Sequence, residues 1–312
     1  MPPSTVTSLP AYTAHVTGAP NTAGHRITIA HNGHTLSPLN DISLFAAPSV
    51  STDSRTADTT DTDTDSQSDV HNADSSPPDL HMVVEAPRWS SVQMAVGADA
   101  LRPVLRRHAR PAHVRSCFPH HGYLWNYGVL PQTRQPSGAP LRVCELGTRV
   151  AQAGDVRRVR VLGVLAPRDE GWTLLAVDVA DALAPRLHDV GDVERECPGL
   201  LAATREWFKV YKLPEGKPLN TFALEGVARG RAFAAEVVDE CHASWGRAQA
   251  DPWSVRTPTE SIEADLRAPV KADLLAAREV DLHISGGQMD PRVRASVSSS
   301  ATKWWFIGSH VV

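Results

Sequence analysis

The sequence predicts a mainly β domain with α-helices in its later half, and three observations carry that prediction. Two β-rich runs flank Asn32-Gly33, a pair whose tolerance of positive φ suits the type I′ turn of a two-residue hairpin. Residues 157–165 (R-R-V-R-V-L-G-V-L) alternate and then become continuously apolar, as a strand entering a buried barrel does, and residues 174–179 read as another short buried strand. Two later stretches change to helical spacing. Residues 193–211 carry Leu200, Leu201, Trp207 and Phe208 on one stripe, and residues 231–247 carry Phe233, Val237, Val238, Cys241 and Trp245 on one face.

In chain order, residues 1–17 are polar and read as a flexible N-terminus, so the domain is drawn over 18–312. Residues 49–79 are rich in Ser, Thr and Asp, bury too little to offset ordering entropy, and read as a disordered acidic insertion. Residues 82–179 read as strands and turns. Pro198 fits the first turn of the first helix, where a missing N–H costs nothing. Pro214-Glu215-Gly216 has turn chemistry after that helix. Residues 250–300 are irregular and polar. The end, K-W-W-F-I (303–307), is too apolar for a free tail and is expected to dock.

Composition excludes several function classes. The formal net charge is −4. Residues 51–80 hold eight aspartates against one arginine, which leaves 27 acidic and 30 Lys/Arg residues elsewhere. That mild excess suits a small anion and is too weak for nucleic acid. No run of eighteen apolar residues exists, and no signal-peptide pattern opens the chain, so a cytoplasmic protein without membrane contact is expected. Cys117, Cys144, Cys197 and Cys241 are widely spaced without a C-x-x-C pair, as reduced thiols are. His120 and His121 are adjacent and point to opposite faces of an extended chain, so they do not chelate one ion.

Three segments carry chemistry: M-V-V-E-A-P-R-W (82–89), C-F-P-H-H-G-Y-L-W-N-Y-G-V-L-P-Q-T (117–133) and E-W-F-K-V-Y-K-L-P-E-G-K-P (206–218). They resemble the active-site walls and phosphate-binding helix end of soluble family I inorganic pyrophosphatases of the eukaryotic type. The resemblance implies an OB-like five-stranded β-barrel flanked by two helices, with a cleft at the barrel. It implies that Glu85, Tyr123, Tyr127, Asp169, Tyr211 and Lys212 stand at active-site positions. It also implies a homodimer through Arg88, Trp89, His121 and Trp304, side chains of the kind that interface centres favour.

The chain departs from that pattern where the resemblance would place magnesium ligands. The family's aspartate cluster corresponds to S-G-A-P-L-R (137–142), with Ser137, Ala139 and Arg142 in place of aspartates. Family Lys, Glu and Arg positions are Gln93, Ala95 and Ala112. After Asp169-Glu170-Gly171 the chain is shortened and reads Trp172-Thr173. Mg²⁺ needs several hard oxygen ligands, so the reading expects no metal site, no cofactor and loss of metal-dependent pyrophosphate hydrolysis. It expects a roomier, more aromatic cleft instead, with Trp125, Arg142, Trp172 and Tyr211 binding a small organic molecule. Glu85, Tyr123, Tyr127, Asp169 and Lys212 would do metal-independent acid–base work of an isomerase, cyclase or lyase type, as in specialised metabolism. Two alternatives stand beside it: a catalytically dead scaffold or regulator, and a weak residual magnesium-dependent diphosphatase. An inert pairing of Glu85 and Asp169 with Arg142 competes with any catalytic role for those carboxylates.

Overall fold

The structure is a computed structural model and describes residues 12–19, 24–47, 77–96, 104–107, 116–250 and 304–305. Among the described residues, thirteen strands and three α-helices follow in chain order. The first group is β1 (Thr13–Thr17), β2 (Arg26–His31), β3 (His34–Leu36), β4 (Leu80–Ala86), β5 (Met94–Val96), β6 (Val104–Arg107) and β7 (Ser116–Cys117). Then come β8 (Asn126–Val129), β9 (Arg142–Glu145), β10 (Val156–Leu165) and β11 (Thr173–Asp178). The helices α1 (Val190–Glu196) and α2 (Leu200–Val210) precede β12 (Arg229–Gly230), α3 (Arg231–Ala250) and β13 (Trp304–Trp305).

Five strands close on themselves. β10 pairs with β4, β4 with β8, β8 with β9, β9 with β11, and β11 returns to β10. Closure removes the unpaired edges that an open sheet would present. This is the expected OB-like barrel, and β12 adds to β10.

Both faces of the barrel strands are buried. On β11, Leu174 and Ala176 join the apolar cluster that includes Val237, Val238 and Cys241 of α3, while Leu175 and Val177 join the cluster that includes Val193 of α1 and Trp207 and Phe208 of α2. A strand buried on both sides needs apolar residues at every position, which is why residues 161–165 lose their alternation. β10 also carries a bulge between Val161 and Gly163, so Val161 and Val164, three apart, face one cluster.

A second sheet, in the order β1-β2-β6-β5, packs Ile27, Ile29, Met94 and Leu105 against Val83 and Val129. Its hairpin β2–β3 turns at Asn32 (φ 50°) and Gly33 (φ 80°), the two positive φ values that a type I′ turn requires.

Several boundaries differ from the sequence reading. The limit drawn at residue 18 cuts off β1, which pairs with β2 over five residues. Most of the acidic insertion lies outside the described residues. Its end does not: Asp79 accepts from Arg158 at 2.7 Å. Residues 193–211 are not one helix. α1 begins at Val190, capped by Asp189, which with Asp192 forms a capping box. Pro198 lies between two helices rather than inside one, and Gly199 (φ 82°) serves as the left-handed N-cap of α2. α3 runs three residues beyond the expected end. Of the apolar C-terminal run, Trp304 and Trp305 pair in parallel with Ser116 and Cys117. The remainder lies outside the described residues, as does Ala112. No helix among the described residues is long and apolar enough to cross a membrane. The four cysteines are free thiols.

Candidate functional site

A cleft of about 820 Å³ opens beside the barrel and is lined by Gln93, Tyr123, Tyr127, Arg142, Asp169, Glu170, Tyr211, Lys212, Lys217 and Asn220 among others. Four parts of the fold deliver these groups. β4 delivers Glu85 through a bulge: Val84 pairs with Gly128 and Ala86 with Tyr127, so Glu85 is the extra residue. The consequence appears in the packing, since Val84 and Ala86, two apart, enter different apolar clusters. A bulge re-aims a side chain in this way, and Glu85 turns inward, 1% exposed.

Glu85 is fully engaged. Its Oε2 accepts from Arg142 Nη1 at 2.8 Å and from Gln93 Nε2 at 2.8 Å, and its Oε1 accepts from the Val96 N–H at 2.9 Å. Gln93 in turn accepts from the Tyr123 hydroxyl at 3.1 Å. Arg142, on β9 beside β8, lies with its guanidinium carbon 5.9 Å from the centre of the Tyr127 ring. Burial alone would lower the Arg142 pKa, but Glu85, with the Tyr127 and Glu170 side chains, holds it well above the ordinary arginine value.

The β10–β11 turn supplies the second centre. Gly171 N–H donates to Pro167 O at 2.8 Å, and Asp169 N–H donates to Asn220 Oδ1 at 3.3 Å. Gly171 has φ 74°, and a Cβ there would lie 2.5 Å from Gln135 Oε1, so this turn requires glycine. Glu170 points into the cleft and accepts from Tyr127 Oη at 3.2 Å and from Tyr211 Oη through a short hydrogen bond. Lys212 Nζ stands 3.3 Å from Asp169 Oδ2 and 3.4 Å from Glu170 Oε1. Tyr211 and Lys212 follow the last turn of α2, and Tyr211 stacks on Trp207 with ring centres 4.7 Å apart. Burial, then the Glu170 charge, pushes the Tyr127 and Tyr211 phenols well above their ordinary pKa. Burial raises Tyr123 likewise. All three are therefore neutral hydrogen-bond donors.

Six of the residues selected from sequence meet in this cleft: Tyr123, Tyr127, Arg142, Asp169, Tyr211 and Lys212. Glu85 lies beneath it, held by Arg142. The competing inert pairing therefore holds for Glu85, whereas Asp169 pairs with Lys212 instead. Trp125 and Trp172 are corrections. Trp125 is 0% exposed, stacks on Phe208 and donates to Thr204 Oγ1 at 2.9 Å. Trp172 is buried against Phe233 of α3. Both are core residues because helices cover them: Trp207 and Phe208 of α2 pack on Trp125, and Phe233 of α3 packs on Trp172. Glu170 and Gln93 were missed as site residues. Glu170 is adjacent to Asp169 in sequence and is distinguished only by the phenols that reach it, and Gln93 bridges Glu85 and Tyr123 through an uncharged amide that no motif marks.

Of the residues expected at a dimer contact, Trp89 is 60% exposed with Arg88 over its ring at 5.8 Å. Arg88 also donates to Leu146 O at 3.0 Å. His121 is exposed. Trp304 reaches the same region through β13, and its side chain lies outside the described residues.

The resemblance implies magnesium, and the residues present do not build a resident cage for it. Among the described residues no group of three or more His, Cys, Asp or Glu could hold a metal ion. Ser137 is exposed, Ala139 has no donor, and the oxygens of Glu85 are taken by protein partners. Asp169, Glu170 and Glu215 are the carboxylates that line the cleft among the described residues.

Comparison with known proteins places this architecture. Residues 82–246 match the family profile "Pyrophosphatase: Inorganic pyrophosphatase". The inorganic pyrophosphatase of Eremothecium gossypii is 36% identical over 95% of this chain and 98% of its own. The structure of the inorganic pyrophosphatase from Schistosoma japonicum superposes with a TM-score of 0.67 at 29% identity, covering 94% of this chain and all of that one. The N-terminally truncated vacuolar soluble pyrophosphatase of Trypanosoma cruzi, crystallised in complex with PPi, superposes with a TM-score of 0.64 at 25% identity over 77% of this chain and 91% of its own.

These relatives correct the functional expectation drawn from the altered positions. Similarity to a protein named inorganic pyrophosphatase along almost the whole length does not fit a metal-independent isomerase, cyclase or lyase of specialised metabolism, nor a small organic partner. The lost-hydrolysis reading and the dead-scaffold reading fall with it. The cleft is mixed in character: Trp125 and Trp172 lie in the core, and Trp207, Phe208 and three tyrosines share the lining with the ionised side chains of Arg142, Asp169, Glu170 and Lys212. The chain belongs to the inorganic pyrophosphatase family.

Proposed function

We propose that this protein binds inorganic pyrophosphate, as its magnesium complex, in the cleft between Arg142 and Lys212 and cleaves it with water into two phosphates. The observation that carries this reading is the convergence of Lys212, Arg142 and the neutral donors Tyr127 and Tyr211 on one cleft of a chain in this family. Pyrophosphate is a small polyanion. Charge-assisted hydrogen bonds from Lys and Arg grip its oxygens, and tyrosine hydroxyls add directed donors without adding charge. Phosphoryl transfer asks for positioning and charge stabilisation more than for covalent chemistry.

The residues take the following parts. Lys212 leaves Asp169 and Glu170 in part to meet a phosphate oxygen. Asp169, at the rim, takes the proton of the attacking water as its oxygen bonds to phosphorus and the bridging P–O bond breaks. The second phosphate departs with the electron pair of that bond, its charge facing Lys212 and Arg142. Tyr127 and Tyr211 each have a single O–H, held by Glu170 in the free protein, and turn it to a phosphate oxygen when the substrate takes the place of Glu170. The magnesium that accompanies pyrophosphate belongs to the substrate, and no step is assigned to a protein-held ion. Within the family reading, the chain differs from the eukaryotic-type pattern by a thinner set of ligand carboxylates, with Ser137, Ala139 and Arg142 as the altered positions.

Phosphate release from magnesium pyrophosphate tests this. The wild type should turn over. Lys212→Met should lose about tenfold or more in kcat/KM, the scale of one charge-assisted contact. A Lys212→Met protein as active as wild type would remove the assignment.

A second copy of the chain is the partner this reading carries. Trp89, Phe118 (56% exposed) and His121 lie on two turns tied by the Trp89 N–H to Tyr123 O and Tyr123 N–H to Ser90 O hydrogen bonds. That makes one aromatic surface suited to a homodimer contact.

A further inference from the structure

We propose that Arg142 is a built-in cation of the cleft: it occupies the Glu85 carboxylate in place of any divalent ion and turns its remaining N–H groups toward a phosphate oxygen of the substrate. The inference rests on the pyrophosphate reading for its second half only. Three observations support it. First, Glu85 is a buried carboxylate, and a buried charge must be paired. Its pairing is complete without a metal, through Arg142 Nη1, Gln93 Nε2 and the Val96 N–H. Second, Arg142 lines the cleft, with its side chain 18% exposed, so part of the guanidinium faces open space. Among the described residues, its one ion pair uses Nη1, whereas a guanidinium carries five N–H donors. Third, the site is built around the planar group. The guanidinium lies over the Tyr127 ring at 5.9 Å, and the β4 bulge, on the other side of β8, presents Glu85 to it at 2.8 Å.

The chemistry differs from that of a bound ion in one respect. A metal at Glu85 would exchange with solvent and depend on its concentration. A guanidinium is always present and cannot be deprotonated at working pH. The floor of the cleft therefore carries fixed positive charge that needs no filling. A divalent ion brought close to it is repelled, so the ion carried by the substrate must sit on the Asp169–Glu170 side.

Two measurements on the full chain test this. Mn²⁺ alone, followed by electron paramagnetic resonance, counts bound ions in wild type, Glu85→Gln and Arg142→Asp. Wild type and Glu85→Gln should bind the same number, because Glu85 holds none. Arg142→Asp should gain a site that disappears in the double variant with Glu85→Gln. Loss of an ion on going from wild type to Glu85→Gln would overturn the proposal. The second measurement needs no aspartate variant and survives its misfolding. Imidodiphosphate, which resists hydrolysis, is titrated calorimetrically in EDTA into wild type and Arg142→Gln. The proposal expects affinity to fall by about tenfold or more on losing the charge-assisted contact. Equal affinities would overturn it. The phosphate-release assay on wild type remains separate. Hydrolysis with a Glu85-dependent Mn²⁺ site removes this inference and leaves the function. No hydrolysis with the expected Mn²⁺ counts removes the function and leaves Arg142 as the occupant of the Glu85 site.

Discussion

Two phenols, Tyr127 and Tyr211, converge on one carboxylate, Glu170, and this sets what each can do. Burial and the negative charge beside them keep both phenols protonated, so they donate hydrogen bonds and do not act as bases. The pH–rate profile should therefore show no phenol ionisation below about pH 10, the ordinary tyrosine pKa. Tyr127→Phe should lower kcat/KM by about tenfold to a hundredfold with an unchanged circular dichroism spectrum. Asp181 offers a stability test away from the cleft. Burial would raise its pKa, but the N–H groups of Leu183, Arg149 and Thr148 and the Thr148 hydroxyl reverse this and lower it. A carboxyl held lower in the folded than in the unfolded state stabilises the fold above the unfolded value. That contribution is lost as pH falls below about 3.9 through the folded value. Asp181→Asn should flatten that acid limb in denaturant titrations. At this scale the sequence was informative about residue type and weak on direction. Tyr123, Tyr127, Tyr211 and Lys212 of the motifs line the cleft. The motifs did not distinguish Asp169 from Glu170, because the two carboxylates are adjacent in one turn and only the fold brings Tyr127 and Tyr211 onto Glu170.

Elements explain the two misplaced tryptophans. Trp125 follows Tyr123 by two positions and looks like a cleft residue in one dimension. The Trp207–Phe208 pair of α2 claims it instead. Trp172 sits at the entry to β11 and packs on α3. Their indole N–H groups separate them. Trp125 donates to Thr204, whereas Trp172 Nε1 is buried without a partner. Trp125→Phe should therefore cost more, on the order of 1–3 kcal/mol beyond packing because Thr204 keeps an unmet acceptor, than Trp172→Phe, which removes an orphan donor. Urea unfolding of the two variants checks the order. The β4 and β10 bulges had no sequence signal beyond broken alternation, and the Pro198-Gly199 break in the first long helix was present in the sequence but assigned to a helix start. Local chemistry fixes turns such as Asn32-Gly33 because two residues suffice. A bulge depends on the partner strand, which lies far away in the sequence.

At the scale of the whole molecule, closure of β4, β8, β9, β11 and β10 brings Tyr127 of β8 and Arg142 of β9 to one cleft with the β10–β11 turn and the end of α2. The barrel was legible because its strand motifs are long. The functional conclusion drawn from the altered positions was not, because long-range strand pairing, and not local sequence, decides that Arg142, Lys212, Tyr127 and Tyr211 still share one cleft. The exposed Trp89 and Phe118 surface predicts a dimeric mass by light scattering at micromolar concentration, and Trp89→Ala should shift it toward the monomer. The central claim is pyrophosphate cleavage in this cleft. Phosphorus NMR of magnesium pyrophosphate with the purified chain tests it most directly. The account predicts conversion of the pyrophosphate resonance into orthophosphate, slowed in Lys212→Met, and a pyrophosphate signal that persists unchanged with the wild type would contradict it.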